Sequence, residues 1–418
     1  MKLKISNTSI TVFAFFLYLS LITGFLYNEN LNYGAYHDWI ISSSKVVNDF
    51  SNNFYETFLN YDEYKHRHSP IYLIFLSILL DIGFTLDIVR IIHLHLSILL
   101  ILFFYWCLKL NFNNIDQRYL ALLSLVIFLS PTFRSLSIWP DSRLPGLLFF
   151  VLTIYFFLKF KKMGNYKYIW FTSTCLVISS YISPNFSIFF PYFFFFFYKK
   201  FGISKLSLLI LFNFLAAMPI FYYMFILDVN FITAGKTPGL ANHSISLNFN
   251  LSNKLMIISS IIFFHLSPIL LNKKFYKSFL QFLIKKTIIL ITLTVVLAYF
   301  FNYQTAFTGG GIFFNLSQLL FDNNYLFFLT AFFSIGFIYY ISSLDLNNFY
   351  LLILLISSNL QNTIYHKYYE PLIIIIFFTL FHSVDAENFL KKKKNLIYIY
   401  VLSIIYISMR LYKNQYLV

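Results

Sequence analysis

Residues 69–83 read SPIYLIFLSILLDIG, and the topology of the chain turns on them. As a membrane span they would reverse the parity of everything before them. They are short for that task, because crossing a hydrocarbon core takes roughly 20 apolar residues. A span here would also put either Lys2 and Lys4, or the basic residues of 109–118 and 159–167, outside the cell, against the positive-inside bias. The stretch is therefore predicted to form an amphipathic helix on the outer membrane surface.

Composition sets the class around it. Hydrophobic residues make up 59% of the 418 positions and charged residues 11%, with a mean hydropathy of +0.71. A soluble domain carries roughly 25% charged residues, so water cannot solvate this chain as one. The net charge of +15 does not indicate nucleic acid. Its basic residues sit in short clusters between apolar runs, as membrane topology requires.

Those clusters are Lys2/Lys4, Lys109/Arg118, Lys159/Lys161/Lys162/Lys167, Lys199/Lys200/Lys205, Lys273/Lys274/Lys277, Lys285/Lys286 and 391–394. With all of them on the cytoplasmic side, spans are predicted near 10–27, 88–108, 119–136, 144–158, 168–183, 185–198, 206–227, 254–271, 287–302, 325–343, 349–365, 371–384 and 395–409. The expected fold is all-α: a polytopic transmembrane bundle of about 11–13 spans, forming a single domain over 1–418. The first apolar run reads as a retained signal anchor. Cys107 and Cys175 both lie in apolar segments, with no metal-ligand or disulfide spacing. The outward loops become 28–87, which holds juxtamembrane helices, then 137–143, 228–253, 303–324 and 366–370. Most acidic residues fall on this side.

Four outward stretches carry polar groups suited to chemistry. In the first, apolar Trp39, Ile40, Val46, Val47 and Phe50 recur at near-helical spacing after Asp38, as in an interfacial helix. Asp38 is then either a helix cap or a base. The second is KHRHSP at 65–70, with Arg67 and His68, which suits anionic headgroups, a phosphate or a metal. The third is SIWPDSRLP at 137–145, where Asp141 is the only acid of a short loop and also fits a cap. The fourth is YHKYYEP at 365–371, in which Lys367 either snorkels among tyrosines or meets an anion at headgroup depth. His93, His95 and His265 lie mid-span and read as polar groups of helix packing. Gly309–Gly311 lacks the Lys-Ser/Thr of a P-loop.

In this order the four stretches resemble the GT-C superfamily of membrane glycosyltransferases, the aminoarabinose transferase and bacterial protein O-mannosyltransferase-like family in particular. Asp38 matches the Asp that opens the first outward loop there, although Trp39 replaces a common second acid. His68-Ser69-Pro70 is similar to the element that starts a juxtamembrane helix. Pro131 through Asp141 resembles the stretch ending in a second Asp. Lys367, Tyr368, Tyr369 and Pro371 resemble a late basic-Tyr-x-x-Pro element. The likeness covers about 10–200 and resumes weakly at 350–385.

The resemblance implies an enzyme of the cell membrane, the inner membrane in a bacterium, whose active site faces outward. It would move a sugar from a polyprenyl-phosphate donor to a glycan, lipid or protein acceptor, without nucleic acid. Asp38 and Asp141 would be catalytic, and Arg67, Lys367 and Tyr368 would hold the donor phosphate. His68, His243 and His366, on three outward loops, are candidate ligands for a divalent metal. Two other readings are a polysaccharide polymerase of the O-antigen class and a flippase or transporter of lipid-linked sugars. The first would be expected to rely on arginines in large outward loops, which are few here. The second would place ionisable groups mid-helix, whereas most here fall at helix ends.

Overall fold

The computed structural model describes residues 6–31, 33–64, 66, 69–229, 250–304, 309–359, 363–382 and 384–416. Among them every regular element is helical. The chain divides into two compact units, Met1–Thr237 with Ser403–Val418, and Pro238–Leu402.

Eight of the described helical segments are long and apolar enough to cross a membrane: Asn7–Leu26, Leu86–Asn111, Arg143–Met163, Pro184–Ile226, Leu251–Leu271, Lys273–Tyr299, Tyr325–Leu344 and Asn395–Lys413. Gln117–Leu129 and Pro131–Ile138 meet at 70° and make a ninth if they are one broken span. The protein is a multi-pass helical membrane protein. Some of the about 11–13 spans expected are shortened by local breaks. Lys167–Ile182 has 16 residues, Leu346–Ser357 has 12 and Leu372–Thr379 has 8. At ~1.5 Å per residue the last two fall well short of the ~30 Å of a hydrocarbon core, and Lys167–Ile182 is shorter than that core although it returns alongside Arg143–Met163. The first of these ends at Ser183, which takes extended backbone before Pro184, as a pre-proline residue tends to.

The Pro184–Ile226 segment hides a reversal. Phe189 packs on Phe150, and Phe201 on Phe160, so its first arm runs alongside Arg143–Met163. The Tyr166 hydroxyl donates to the Lys205 carbonyl and Tyr181 to that of Ala216, so its second arm runs alongside Lys167–Ile182. Those two neighbours are themselves antiparallel about Gly164: Ser179 Oγ donates to the Gly146 carbonyl at 2.8 Å. The chain therefore folds back at Gly202, whose φ of 74° and ψ of 169° belong almost solely to glycine. This doubling matches the two separate runs expected at 185–198 and 206–227. Gly202→Ala should destabilise the protein by about 1–3 kcal/mol, the cost of such backbone in a residue with a Cβ. Thermal unfolding in detergent measures it; an unchanged midpoint would mean the turn tolerates a side chain.

Residues 69–83 contain an 11-residue helix, Ile71–Asp81, roughly half the length a crossing needs at ~1.5 Å per residue. Tyr72, Leu73, Leu76 and Ser77 are buried. Ile71, Phe75, Ile78 and Ile82 form an exposed apolar stripe at helical spacing. The buried side packs on Ser44–Asn52, and Ser51 donates to the Asp81 carboxylate.

Leu86–Asn111 and Arg143–Met163 bring their C-terminal ends together, where Lys162 Nζ donates to Asn113 Oδ1 at 3.2 Å. Lys109, Lys161 and Lys162 thus share one end of the unit. The positive-inside bias predicts a cytoplasmic location for that end. Asn113→Cys, in a protein lacking Cys107 and Cys175, should react with an impermeant maleimide only after permeabilisation. Strong labelling of intact cells would invert the topology.

In the second unit Tyr325–Leu344 is central, touching Leu251–Leu266, Lys273–Tyr299, Gly311–Phe321 and Leu346–Ser357. Phe337 anchors it against Phe263, Phe275 and Phe279 with ring centroids 5.4–6.0 Å apart.

Candidate functional site

Residues 131–148 are buried without a break, and the polar centre of the first unit lies in them. Ser130 caps Pro131–Ile138 by accepting from the Phe133 N–H at 3.0 Å, and proline at the first helical position suits a fixed φ. The next helix begins at Arg143. Its backbone N–H and its Nε both donate to Asp141 Oδ1 at 2.8 Å, while Nη2 donates to Asp141 Oδ2. Asp141 thus takes a backbone N–H at the start of the helix and clamps a guanidinium at once. Both side chains are nearly closed to solvent, at 4% and 7% exposure.

The same Nη2 reaches Asp38 Oδ2 at 3.2 Å, so two carboxylates from distant loops meet on one cation. Asp38 is 48% exposed and supplies the solvent-facing side of the trio. Its expected alternative role as a helix cap is corrected. Asp38 has helical φ and ψ of −60° and −38° and makes no side-chain cap bond. It ends Tyr33–Asp38, and the helix continues through a π turn, Trp39–Ser43, into Ser44–Asn52. Trp39, Val46, Val47 and Phe50 turn inward, whereas Ile40 is exposed. A π turn widens the helix locally and recurs at functional sites.

Further polar groups of the same unit are also paired. Arg134 grips Glu29 with Nε at 2.7 Å and Nη2 at 2.5 Å, and also donates to Ser20 Oγ and its carbonyl. Bidentate geometry makes such a pair directional. Trp139 Nε1 donates to the Glu29 carbonyl at 2.9 Å, and its ring carries the Arg90 guanidinium at 4.2 Å. His93 bridges the Leu136 carbonyl, at 2.6 Å, and the Tyr72 hydroxyl, the packing role expected of it. His95 bonds the Ile91 carbonyl of its own helix. His66 lies near Ser43, at 3.4 Å, and Tyr61. Burial pushes its pKa below the ordinary 6.5, against the upward pull of Asp38 and Asp141. At neutral pH it is an uncharged proton acceptor beside the carboxylates.

A second cluster stands in the other unit. His265, on the last turn of Leu251–Leu266, meets His366 with 2.7 Å between their Nε2 atoms. Glu370 Oε2 lies 3.8 Å from His366 Nε2. All three residues are buried. The backbone leading into His366 is pinned: the Ile364 N–H donates to the Tyr303 hydroxyl at 3.1 Å, and the Gly310 N–H to the Ile364 carbonyl at 3.0 Å. Gly309 is required for that approach, since its φ is +117° and a Cβ would stand 2.4 Å from the Ile364 oxygen. Lys367 turns its Nζ over the Tyr365 ring at 5.0 Å, and Tyr365 packs on Tyr368.

Among the expected site residues, Asp38 and Asp141 are brought together. His366, Lys367 and Tyr368 lie in the Pro238–Leu402 unit. Arg67, His68 and His243 fall outside the described residues. The expected metal set is therefore described only at His366, whose neighbours are His265 and Glu370. Sequence reasoning did not single out Arg143, two positions from Asp141. It also assigned His265 to packing; a mid-span histidine with a second histidine in an outward loop was the available signal. Set against models of protein families, curated proteins and solved structures, the chain matches none of them.

Proposed function

We propose that this protein is a membrane glycosyltransferase that takes a sugar from a polyprenyl-phosphate donor and passes it to an acceptor on the outer face of the cell membrane. One observation carries the reading: Asp38 and Asp141, far apart in sequence, converge on the Arg143 guanidinium at the start of a membrane-spanning helix. Glycosyl transfer needs a base for the attacking hydroxyl and fixed positive charge where a phosphate leaves. Asp38 is the half-exposed member and serves as the base, with neutral His66 beside it. As the acceptor oxygen bonds to the anomeric carbon, its proton passes to Asp38. The bond from that carbon to the donor phosphate breaks, and polyprenyl phosphate departs. Buried Asp141 orients Arg143, which faces the developing charge.

The placement also favours chemistry over transport. A transport pathway sets ionisable groups mid-helix, whereas Arg143 begins its helix.

Photo-crosslinking tests donor binding. A polyprenyl-phosphate sugar with a photoreactive group on the sugar should label peptides from 29–64 or 131–148, and unlabelled donor should compete. Labelling confined to other segments, or insensitive to competitor, counts against the proposal.

A further inference from the structure

We propose that His265, His366 and Glu370 bind a divalent first-row transition metal ion, zinc by ligand chemistry. Each offers one ligand atom, and those atoms lie within 4.8 Å of one another. Zinc takes imidazole nitrogen at ~2.0–2.1 Å and carboxylate oxygen at ~2.0–2.2 Å. Ligand atoms around one ion therefore sit roughly 3–3.5 Å apart. The observed separations of 2.7 Å and 3.8 Å bracket that value. Side-chain rotations that part the two histidines by about half an ångström and draw Glu370 inward would close the site.

The ligand types narrow the ion. Calcium and magnesium prefer sets made only of oxygen, whereas two imidazoles with a carboxylate suit zinc and its neighbours. Burial points the same way. His265, His366 and Glu370 are 9%, 5% and 3% exposed, with Phe264 and Phe313 packed close by. Buried charged groups are paired or coordinate metals, and these three residues stand close enough to share one ion.

The frame is also built for a fixed geometry. His265 is on a spanning helix. His366 follows backbone pinned by Tyr303 and Gly310. Glu370 is tied back by its own N–H to the His366 carbonyl at 3.2 Å. Ligands on supported elements are those that hold a metal tightly. Three protein ligands leave a fourth position for water or another donor.

Metal binding here does not depend on glycosyl transfer; a chain with another activity would hold the same ion. The full-length protein, purified in detergent without chelators, should contain stoichiometric zinc by elemental mass spectrometry. After stripping, Co²⁺ should give the visible absorption of a low-coordinate site. His265→Ala and Glu370→Gln should each weaken Co²⁺ binding at least tenfold, because even outer-shell changes cost roughly 10–100-fold. His95→Ala, outside the cluster, should bind as the wild type does. If His265→Ala does not fold, Glu370→Gln and the wild-type spectrum decide. A wild-type protein that gives no Co²⁺ absorption, or a Glu370→Gln protein that binds as tightly as wild type, overturns the assignment and leaves a hydrogen-bonded histidine pair.

Discussion

Asp38→Asn should lower sugar transfer by roughly 10²–10⁴-fold, the usual worth of a positioned base, while the protein stays folded in the membrane. The amide keeps the size of the carboxylate, and its oxygen can still accept from Arg143 Nη2, now 3.2 Å from Asp38. The side chain is half exposed, so losing its charge costs the fold little. What the amide cannot do is take a proton. The loss should therefore appear in kcat and in kcat/KM alike, as for an interaction made in the transition state. Near-normal turnover by Asp38→Asn would remove it from the mechanism and leave it a surface partner of Arg143.

Arg143→Ala should have the largest effect on stability. Asp141 is 4% exposed and takes its guanidinium bonds from Arg143; without them it becomes a buried charge lacking its cation. Breaking such a pair from one side costs about 3–5 kcal/mol, enough to unfold a marginal protein. Removing both members tells charge from shape: Arg143→Met with Asp141→Leu should recover most of the stability, since apolar replacement of a buried ion pair is often neutral. Transfer should stay lost. Thermal unfolding in detergent gives both values, and a single Arg143→Ala variant as stable as wild type would contradict the buried-pair account.

The parts of this fold that were legible are those written in local chemistry. The apolar runs at 10–27, 88–108 and 325–343 become the helices Asn7–Leu26, Leu86–Asn111 and Tyr325–Leu344, because helix formation in lipid needs little beyond length and apolarity. The shortness of 69–83 also showed in its residue count, and its helix is 11 residues long. Apolarity could not reveal where a run breaks. Leu346–Ser357 and Leu372–Thr379 lie in long apolar sequence yet stop early. Asn348, in the first turn of Leu346–Ser357, donates to the Ile341 and His382 carbonyls, contacts that no window average registers.

The site divides in the same way. Asp38 and Asp141 could be singled out because acids are rare in this chain, with Asp and Glu together at 16. Their meeting point could not be read, since Arg143 lies 105 positions from Asp38. His265 was hidden by a sound expectation about mid-span histidines, which His93 obeys. Its partner His366 is 101 positions away. Gly309–Gly311 carried no phosphate-loop signature; its role is backbone approach to Ile364, a feature of packing.

Release of free polyprenyl phosphate tests the central proposal most directly. Purified wild-type protein, Asp38→Asn and Arg143→Lys are each given a panel of polyprenyl-phosphate sugars, and the lipid product is separated and counted. The proposal predicts release with at least one sugar by the wild type and roughly 10²–10⁴-fold less by Asp38→Asn. Arg143→Lys should also fall, because lysine cannot reproduce a fork that spans two carboxylates. No release from any sugar, or equal release by wild type and Asp38→Asn, would contradict it.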